Sequence, residues 1–331
     1  MVGTRDEFEE AAEKVRKLFN ERGAKVLEEA AASILQEKIE CAEAKEALSY
    51  FMSYWRDVVR PSLVSLACEA VGGDPSITAP IGKSLTLLSG ATDIHDDIID
   101  KTMVKEKGRT VVGRFGGDIA LMAGDALIFE GFVELFEGLA RLDIPLEKKL
   151  AIVRTVKELY FEMFDGEALE LKFRARTDIK PDEYLYVLRK KAADVEASMR
   201  VGAMLGNGRE EQINALGEYG RSLGVIVLLR NDLEDLLDFN ILNLRIKNES
   251  LPLPILYALE SREKREEILT ILKKGEVKEE EAKKLSTLIS EAGGLDKLWE
   301  LFRNFRAKAK GMVENKTFET ILEATVPETP H

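Results

Sequence analysis

The chain has 331 residues, of which 45% are hydrophobic, so it is long enough to bury a full core. Its net charge of −12 argues against a nucleic-acid-binding protein, which needs a basic face, and no apolar run approaches the roughly 20 residues of a membrane span. The amino terminus lacks the apolar centre of a signal peptide. We therefore expect a cytoplasmic protein without a transmembrane segment.

Helical periodicity is visible along almost the whole chain, and the balance of Leu, Ala, Glu and Lys favours helices over strands. Pro61 suits the first turn of an apolar helix, which Gly72 and Gly73 end. The glycines between residues 102 and 117 lie among basic residues and predict a loop. Further predicted helices cover residues 5–20, 22–40, 78–101, 118–140, 146–174, 181–205, 211–240 and 251–272, with shorter ones to 323.

The chain shows no internal repeat, no low-complexity linker and no break in composition. We therefore predict a single domain over residues 1–331, with its core at about 40–260. Residues from about 260 to 325 are more charged and less apolar. We expect this part to form a helical carboxy-terminal addition on the same core.

Four aspartates, Asp93, Asp96, Asp97 and Asp100, lie near the end of the helix predicted over 78–101. Their offsets of 3, 4 and 7 residues put them on one helical face, where like charges repel each other. Apolar residues flank this cluster, whereas a solvated acidic face would have polar flanks. Hard carboxylate oxygens on one face suit Mg²⁺. The cluster therefore predicts a magnesium site, with a solvated acidic face as the alternative.

A second acidic face lies within the helix predicted over 211–240. The residues that share this face are Asn231, Glu234, Asp235 and Asp238, and Asp232 lies beside it. Taken alone, the pattern is equally typical of a solvated helix. Two acidic faces of one helical chain can also face each other across a cavity and bind metal ions between them. The presence of both clusters favours this hypothesis.

The stretch from about residue 55 to 260 resembles the trans-isoprenyl diphosphate synthases of the polyprenyl synthetase family. His95 and the aspartates Asp96, Asp97 and Asp100 match the family's first aspartate-rich motif, HDDxxD. The sequences RPSLVSLACEAVGGD at 60–74 and GDALI at 124–128 match two further family patterns. The resemblance implies an all-α fold, in which a single helical bundle of the isoprenoid synthase type encloses a central apolar cavity.

The resemblance also implies an activity, that of a Mg²⁺-dependent prenyltransferase that binds an allylic isoprenyl diphosphate and ionises it. The implied metal ligands are Asp96, Asp97, Asp100, Asp232 and Asp235, of which the first three are also the catalytic residues. The implied diphosphate-binding residues are Lys191, Arg60 and Lys107, and the small residues Ala91 and Thr92 would set the depth of the cavity. The implied assembly is a homodimer or a heterodimer with a homologous synthase.

Several positions depart from the family pattern where phosphate groups bind. Asp57 replaces the family's lysine, and Ser89 replaces its histidine or glutamine. Glu106 and Lys107 stand in place of two loop arginines, and Asn231 replaces the leading aspartate of the second motif. Reversing one charge beside a diphosphate turns attraction into repulsion. We therefore expect poor condensation with isopentenyl diphosphate, the family's acceptor.

Two alternatives to a divergent prenyltransferase stay open on the sequence. The first is a non-catalytic or regulatory subunit that partners an active prenyl diphosphate synthase. The second is a terpene-cyclase-like enzyme, whose second motif also begins with Asn-Asp, although the acid expected eight positions after Asn231 is Phe239. A subunit would show no turnover alone, whereas a cyclase would release hydrocarbon or terpene alcohol without an acceptor.

Overall fold

The computed structural model describes residues 5–105 and 108–325, with side chains from residue 7 onward. These residues are helical almost throughout, which confirms the predicted all-α fold. The helices are α1 (Arg5–Gln36), α2 (Ala42–Tyr54), α3 (Val59–Ala70), α4 (Ala79–Asp100), α5 (Val111–Phe115), α6 (Gly117–Arg141), α7 (Leu146–Glu170), α8 (Pro181–Lys191), α9 (Ala193–Leu205), α10 (Glu210–Leu237), α11 (Phe239–Asn248), α12 (Leu253–Ala258), α13 (Arg265–Leu272), α14 (Glu279–Glu291), α15 (Gly294–Lys310) and α16 (Lys316–Glu323). Short 3₁₀ turns lie at Pro75–Ile77 and Leu171–Phe173, and β1 (Val104–Lys105) pairs antiparallel with β2 (Gly108–Arg109).

The chain divides into two compact units. One, here called the first-motif unit, consists of Lys14–Lys157 and Ala197–Gly217 and carries the first aspartate motif. The other, called the second-motif unit, consists of Met1–Glu13, Glu158–Glu196 and Glu218–His331 and carries the second motif. The expectation of a single domain stays a prediction. Across the described part of the chain, no helix combines the length and apolar character that crossing a membrane requires.

Helices α4 and α6 pack along each other in the first-motif unit. Ile94 of α4 and Leu127 of α6 are fully buried, because each helix turns an apolar face toward the other. Ser84 donates a hydrogen bond to the carbonyl of Gly131 at 2.7 Å. Glycine permits this approach, since a Cβ at Gly131 would lie only 2.9 Å from Leu88. The close packing fixes the end of α4 that carries the aspartates.

In the second-motif unit, α12 packs on α8, α14 and α15. Two buried tyrosines find partners for their hydroxyl groups, as burial of a polar group requires. Tyr219 of α10 donates to the carbonyl of Phe318 at 2.8 Å, and Tyr184 of α8 donates to Asp232 at 3.0 Å. The second bond brings one acid of the second motif into the interior of this unit.

Some helix ends differ from the predicted ones. A single helix was predicted over 211–240, but α10 ends at Leu237 and α11 begins at Phe239. Asp238 causes the break, because its side chain accepts hydrogen bonds from the N–H groups of Asn240 and Ile241 at 2.8 and 3.1 Å, as an N-cap does. The loop predicted at 102–117 contains the β1–β2 hairpin and α5.

Candidate functional site

The first aspartate motif occupies the last turns of α4. Asp97 points inward and is only 3% exposed, whereas Asp93, Asp96 and Asp100 are partly exposed. Asp97 is buried because it lies three residues from Ile94, on the side of α4 that faces the core. One carboxylate of the motif is thus desolvated, and the other three border the surface.

Lys105 of β1 contacts two of these aspartates. Its Nζ atom lies 3.1 Å from Oδ1 of Asp93 and 2.9 Å from Oδ1 of Asp97. The chain turns back after α4 because Lys101 adopts a left-handed conformation (φ 57°) and the N–H of Thr102 donates to the carbonyl of Asp97. Sequence reasoning missed Lys105, and its place in a basic, glycine-containing loop was the only available signal.

The surroundings of Asp97 disfavour its charged form. Burial raises the pKa of Asp97 to about 6, and the Lys105 ammonium opposes this effect without cancelling it. Burial also disfavours the charge on Lys105, but the carboxylates of Asp93 and Asp97 outweigh burial and raise the pKa of Lys105. Further positive charge at this end of α4 would therefore stabilise the ionised carboxylates.

His95 packs against α6. Its Nε2 atom lies 3.4 Å from Oδ1 of Asp125, and its ring lies over Gly124, where any Cβ would overlap the imidazole. Glycine at this position lets α6 pass close to α4. His95 therefore holds the aspartate-bearing end of α4 against its neighbour, which is a packing role.

In the second motif, Asp232 is 2% exposed and is surrounded by protein donors. Its Oδ1 atom accepts hydrogen bonds from the hydroxyl of Tyr184 and from Nη2 of Arg245, both at 3.0 Å. Its Oδ2 atom accepts the backbone N–H of Leu253, also at 3.0 Å. Burial raises the pKa of Asp232, and Arg245 is the charge that opposes this shift most. Asp232 thus connects α8, α11 and the first residue of α12.

Arg245 of α11 is 8% exposed and connects the two predicted metal ligands of this motif. Its Nη2 atom contacts Asp232, and its Nη1 atom donates to Oδ2 of Asp235. Its Nε atom donates to the carbonyl of Ser250 at 3.0 Å and lies 3.2 Å from the carboxylate of Glu249. Sequence reasoning missed Arg245, because nothing in the segment after the motif indicates that its side chain turns back.

The other polar residues of the second motif have separate roles. Asn231 is exposed on α10. Glu234 is exposed and lies 3.3 Å from Nε of Arg230, one turn earlier on the same helix. Asp238 caps α11. In the structure, Asp232 of the predicted acidic face is buried and Asp235 is partly buried, whereas the other three residues lie at the surface.

Lys191, a predicted diphosphate ligand, lies at the end of α8. Its Nζ atom contacts Glu170 and lies 3.0 Å from Oε2 of Glu167. Glu170 also accepts a hydrogen bond from the hydroxyl of Ser250. Burial alone would raise the pKa of Glu170, but the charges of Lys191 and Arg245 outweigh burial and lower that pKa to about 2. The lysine is thus part of an ionic network within the second-motif unit.

Asp57, at one of the positions expected to bind the acceptor, accepts hydrogen bonds from the backbone. Its Oδ1 atom accepts hydrogen bonds from the N–H groups of Val59 and Arg60 at 2.9 and 3.3 Å, at the start of α3. Its Oδ2 atom lies 3.2 Å from Nη1 of Arg60, the predicted diphosphate ligand. Ser89 is buried on α4. Lys107, the remaining predicted diphosphate ligand, and the neighbouring Glu106 lie outside the described residues.

The two residues predicted to set the cavity depth lie one turn before the aspartates. Ala91 is fully buried in a core cluster that includes Phe51 and Leu87. Thr92 is partly buried and donates its hydroxyl to the carbonyl of Ser89 at 2.8 Å. Their role in chain length stays a prediction.

Mg²⁺ binds hard oxygen ligands and usually combines one or two carboxylates with waters and substrate phosphates. Asp96 and Asp100, four residues apart and partly exposed on α4, offer such a pair. Within residues 5–105 and 108–325, no three His, Cys, Asp or Glu side chains form a metal site by themselves, so the remaining ligands would be water or phosphate oxygens. The first motif fits Mg²⁺ on this chemistry. The second fits less well, because Arg245 already lies between its carboxylates.

A family model described as polyprenyl synthetase matches residues 42–289. Among curated proteins, the chain is 32% identical over 229 residues to a short chain isoprenyl diphosphate synthase from Methanothermobacter thermautotrophicus, covering 66% of this chain and 69% of that protein. It is 28% identical over 260 residues to a geranylgeranyl diphosphate synthase from Methanosarcina mazei, covering 77% of this chain and 78% of that protein.

Among solved structures, the chain is similar to geranylgeranyl pyrophosphate synthetase from Pyrococcus horikoshii, with a TM-score of 0.82 and 27% identity. That match covers 94% of this chain and 97% of the other. The corresponding enzyme from Geoglobus acetivorans gives a TM-score of 0.80 with 25% identity, covering 93% and 98% of the two chains. The likeness therefore extends over nearly the whole length of each structure.

Proposed function

The chain belongs to the polyprenyl synthetase family and is a prenyltransferase of the isoprenyl diphosphate synthase type, and we propose that it binds an allylic isoprenyl diphosphate through Mg²⁺ at its first aspartate motif. The observation that carries this proposal is the end of α4. There Asp97 is buried and held by Lys105, while Asp96 and Asp100 remain partly exposed on the same helix. A hard cation completed by phosphate oxygens matches that donor set.

When bound, Mg²⁺ would act as a Lewis acid that stabilises the charge of the departing diphosphate. The protein's own contribution is to hold the carboxylates in place. His95 packs against Gly124 of α6 and so holds the end of α4 against that helix. Asp96 and Asp100 are then presented by a helix whose position is set, which spares the enzyme the cost of ordering them at the moment of binding.

We further propose that isopentenyl diphosphate binds weakly at the family's acceptor position. A carboxylate, Asp57, lies where the family has a lysine, and it both caps α3 and offsets the charge of Arg60 at 3.2 Å. Replacing attraction by repulsion beside a diphosphate costs several kcal/mol when the groups are desolvated. At about 1.4 kcal/mol per tenfold change in affinity, a thousandfold loss is the expected scale.

The assembly that we propose is a homodimer or a heterodimer with a homologous synthase. An apolar stripe on α6 supports it, because large side chains recur at helical spacing on an exposed face. The stripe consists of Met122, Phe129, Val133 and Phe136, with Phe129 74% exposed. The cytoplasmic location expected from the sequence stays a prediction.

The direct test supplies the purified protein with Mg²⁺ and radiolabelled C10, C15 or C20 allylic diphosphate, with and without isopentenyl diphosphate. We expect Mg²⁺-dependent consumption of an allylic diphosphate, with the Asp100→Asn variant at least a hundredfold slower. Asp118→Asn, an exposed acid in the first turn of α6, is the matched control and should behave as wild type.

Other outcomes of this test identify the alternatives. Turnover only after mixing with a homologous synthase would replace the proposal by a regulatory subunit. Release of hydrocarbon or terpene alcohol without an acceptor would indicate a cyclase. Efficient elongation with isopentenyl diphosphate would refute the proposed weakness of the acceptor site.

A further inference from the structure

Arg245 lies between the two carboxylates that the motif pattern assigns to metal binding. One of its terminal nitrogens contacts Asp232, and the other contacts Asp235. We propose that the second aspartate motif is closed on this guanidinium and takes up no metal ion, so that divalent ions enter through the first motif alone. The inference rests on the proposed function for the first motif and changes what is expected of the second.

The oxygens of Asp232 support this inference. Oδ1 accepts two hydrogen bonds, from Tyr184 and Arg245, which use both of its lone pairs, and Oδ2 accepts the backbone N–H of Leu253. A magnesium ion needs an oxygen lone pair at about 2.1 Å and gives up its waters reluctantly. Because Asp232 is only 2% exposed, a hydrated ion has no path to it without breaking these bonds.

The guanidinium itself is strongly held. Beyond the two aspartates it donates to the carbonyl of Ser250 and lies 3.2 Å from Glu249, so every nitrogen of its fork has an acceptor. Arginine also keeps its charge at all physiological pH values. Displacing Arg245 would strip several buried acceptors of their donor at once, whereas keeping it satisfies them.

The first motif provides the contrast. Its internal cation, Lys105, is 45% exposed and belongs to a strand of two residues at the surface. The ammonium of Lys105 can turn toward solvent when a divalent ion binds, because it is held by the two carboxylates and its backbone belongs to a short surface hairpin. Arg245 is 8% exposed and is enclosed by α8, α10 and the segment before α12. The two motifs therefore differ in whether a resident cation can leave.

The test counts bound ions directly. Mn²⁺, which shares the oxygen-ligand preference of Mg²⁺, is titrated into the full chain with a farnesyl diphosphate thio-analogue present, and free Mn²⁺ is measured by electron paramagnetic resonance. We expect Asp235→Asn to bind the same number of Mn²⁺ ions per chain as wild type, with an affinity within threefold. Glu234→Gln, a neighbouring exposed acid, is the matched control. Asp100→Asn should bind fewer ions.

A fall in the number of bound ions in Asp235→Asn, without a fall in Glu234→Gln, would overturn the inference. The converse variant is Arg245→Met, which should gain one Mn²⁺ per chain and lose it again when Asp235→Asn is added. A folded Arg245→Met protein without the extra ion would also count against the inference, and if that variant does not fold, the Asp235→Asn comparison decides. Unchanged ion binding by Asp100→Asn would instead refute the proposed metal site of the first motif, whatever Asp235→Asn shows.

Discussion

Replacing Lys105 by methionine should destabilise the protein in a pH-dependent way. The ammonium of Lys105 lies 2.9 Å from the carboxylate of Asp97, which is almost fully buried, and 3.1 Å from that of Asp93. Without the lysine, a desolvated carboxylate loses its main compensating charge. The variant keeps a long apolar stem, so the change removes charge with little loss of volume.

The magnitude follows from the distance and the exposure. An ion pair at 2.9 Å is worth about 6 kcal/mol at an effective dielectric constant of 20 and about 1.4 kcal/mol in water. Because the Lys105 side chain is 45% exposed, solvent screens much of this energy, and we expect a loss of about 2 kcal/mol at pH 8.

The sign of the pH dependence follows from the pKa of Asp97. Burial raises this pKa to about 6 in the folded protein, whereas an ordinary aspartate has a pKa of 3.8. A carboxyl whose folded pKa is raised contributes stability that is present below pH 3.8 and lost as the pH rises through 6. Removing Lys105 raises this pKa further. The penalty of the substitution should therefore be larger at pH 8 than at about pH 4, where Asp97 is protonated with or without the lysine.

Urea unfolding followed by circular dichroism, in EDTA at pH 4 and pH 8, measures this difference. Lys101→Met is the control, since Lys101 is an exposed lysine four residues earlier in the same connection. Equal losses at the two pH values would refute the electrostatic reasoning and indicate that Lys105 acts through packing.

Three further predictions concern other contacts. The double substitution Asp57→Lys with Ser89→His should strengthen isopentenyl diphosphate binding at least tenfold in calorimetry, because a cation then replaces an anion at the acceptor position, and unchanged binding would contradict that placement. Glu170 should stabilise the protein by up to about 3 kcal/mol above pH 4.5, and this contribution should disappear as the pH falls toward 2, because its folded pKa of about 2 lies below the ordinary 4.5. Glu170→Gln should remove this part of the acid sensitivity, and an unaltered acid unfolding curve would argue against the network. Gly124→Ala should cost about 1–3 kcal/mol in thermal or urea unfolding, because its Cβ overlaps the His95 ring, and His95→Ala should relieve most of that cost. Additive effects of the two changes would contradict the contact.

Periodicity and composition were sufficient to predict an all-α chain and most of its helices. The errors lie where a single tertiary contact or helix cap determines whether a helix continues or ends. The sequence around residue 21 suggested a break between two helices, yet α1 continues to Gln36, and Gly23 within it is required because a Cβ there would press against the carbonyl of Val58. Similarly, the break at Asp238 depends on whether that side chain caps a new helix or points to solvent, which periodicity does not encode.

The acidic residues of the candidate site could be predicted from the sequence, whereas its basic residues, Lys105 and Arg245, could not. Aspartates at offsets of 3 and 4 are recognisable in the sequence, because helical geometry alone places them on one face. Lys105 and Arg245 reach those faces from short segments that follow each helix, and their directions depend on a left-handed residue at Lys101 in one case and on the N-cap Asp238 in the other. Neither turn can be deduced from residue spacing.

Asp232 joins three distant parts of the chain, through Tyr184, Arg245 and the start of α12. Because these hydrogen bonds stabilise the fold, natural selection would retain the aspartate even in a descendant that no longer catalyses the reaction. Such a descendant would still match a pattern built on the second motif and would be counted among the active enzymes. In such a lineage we would expect loss of activity to appear first as changes at Asp96 and Asp100, whose side chains are partly exposed on α4.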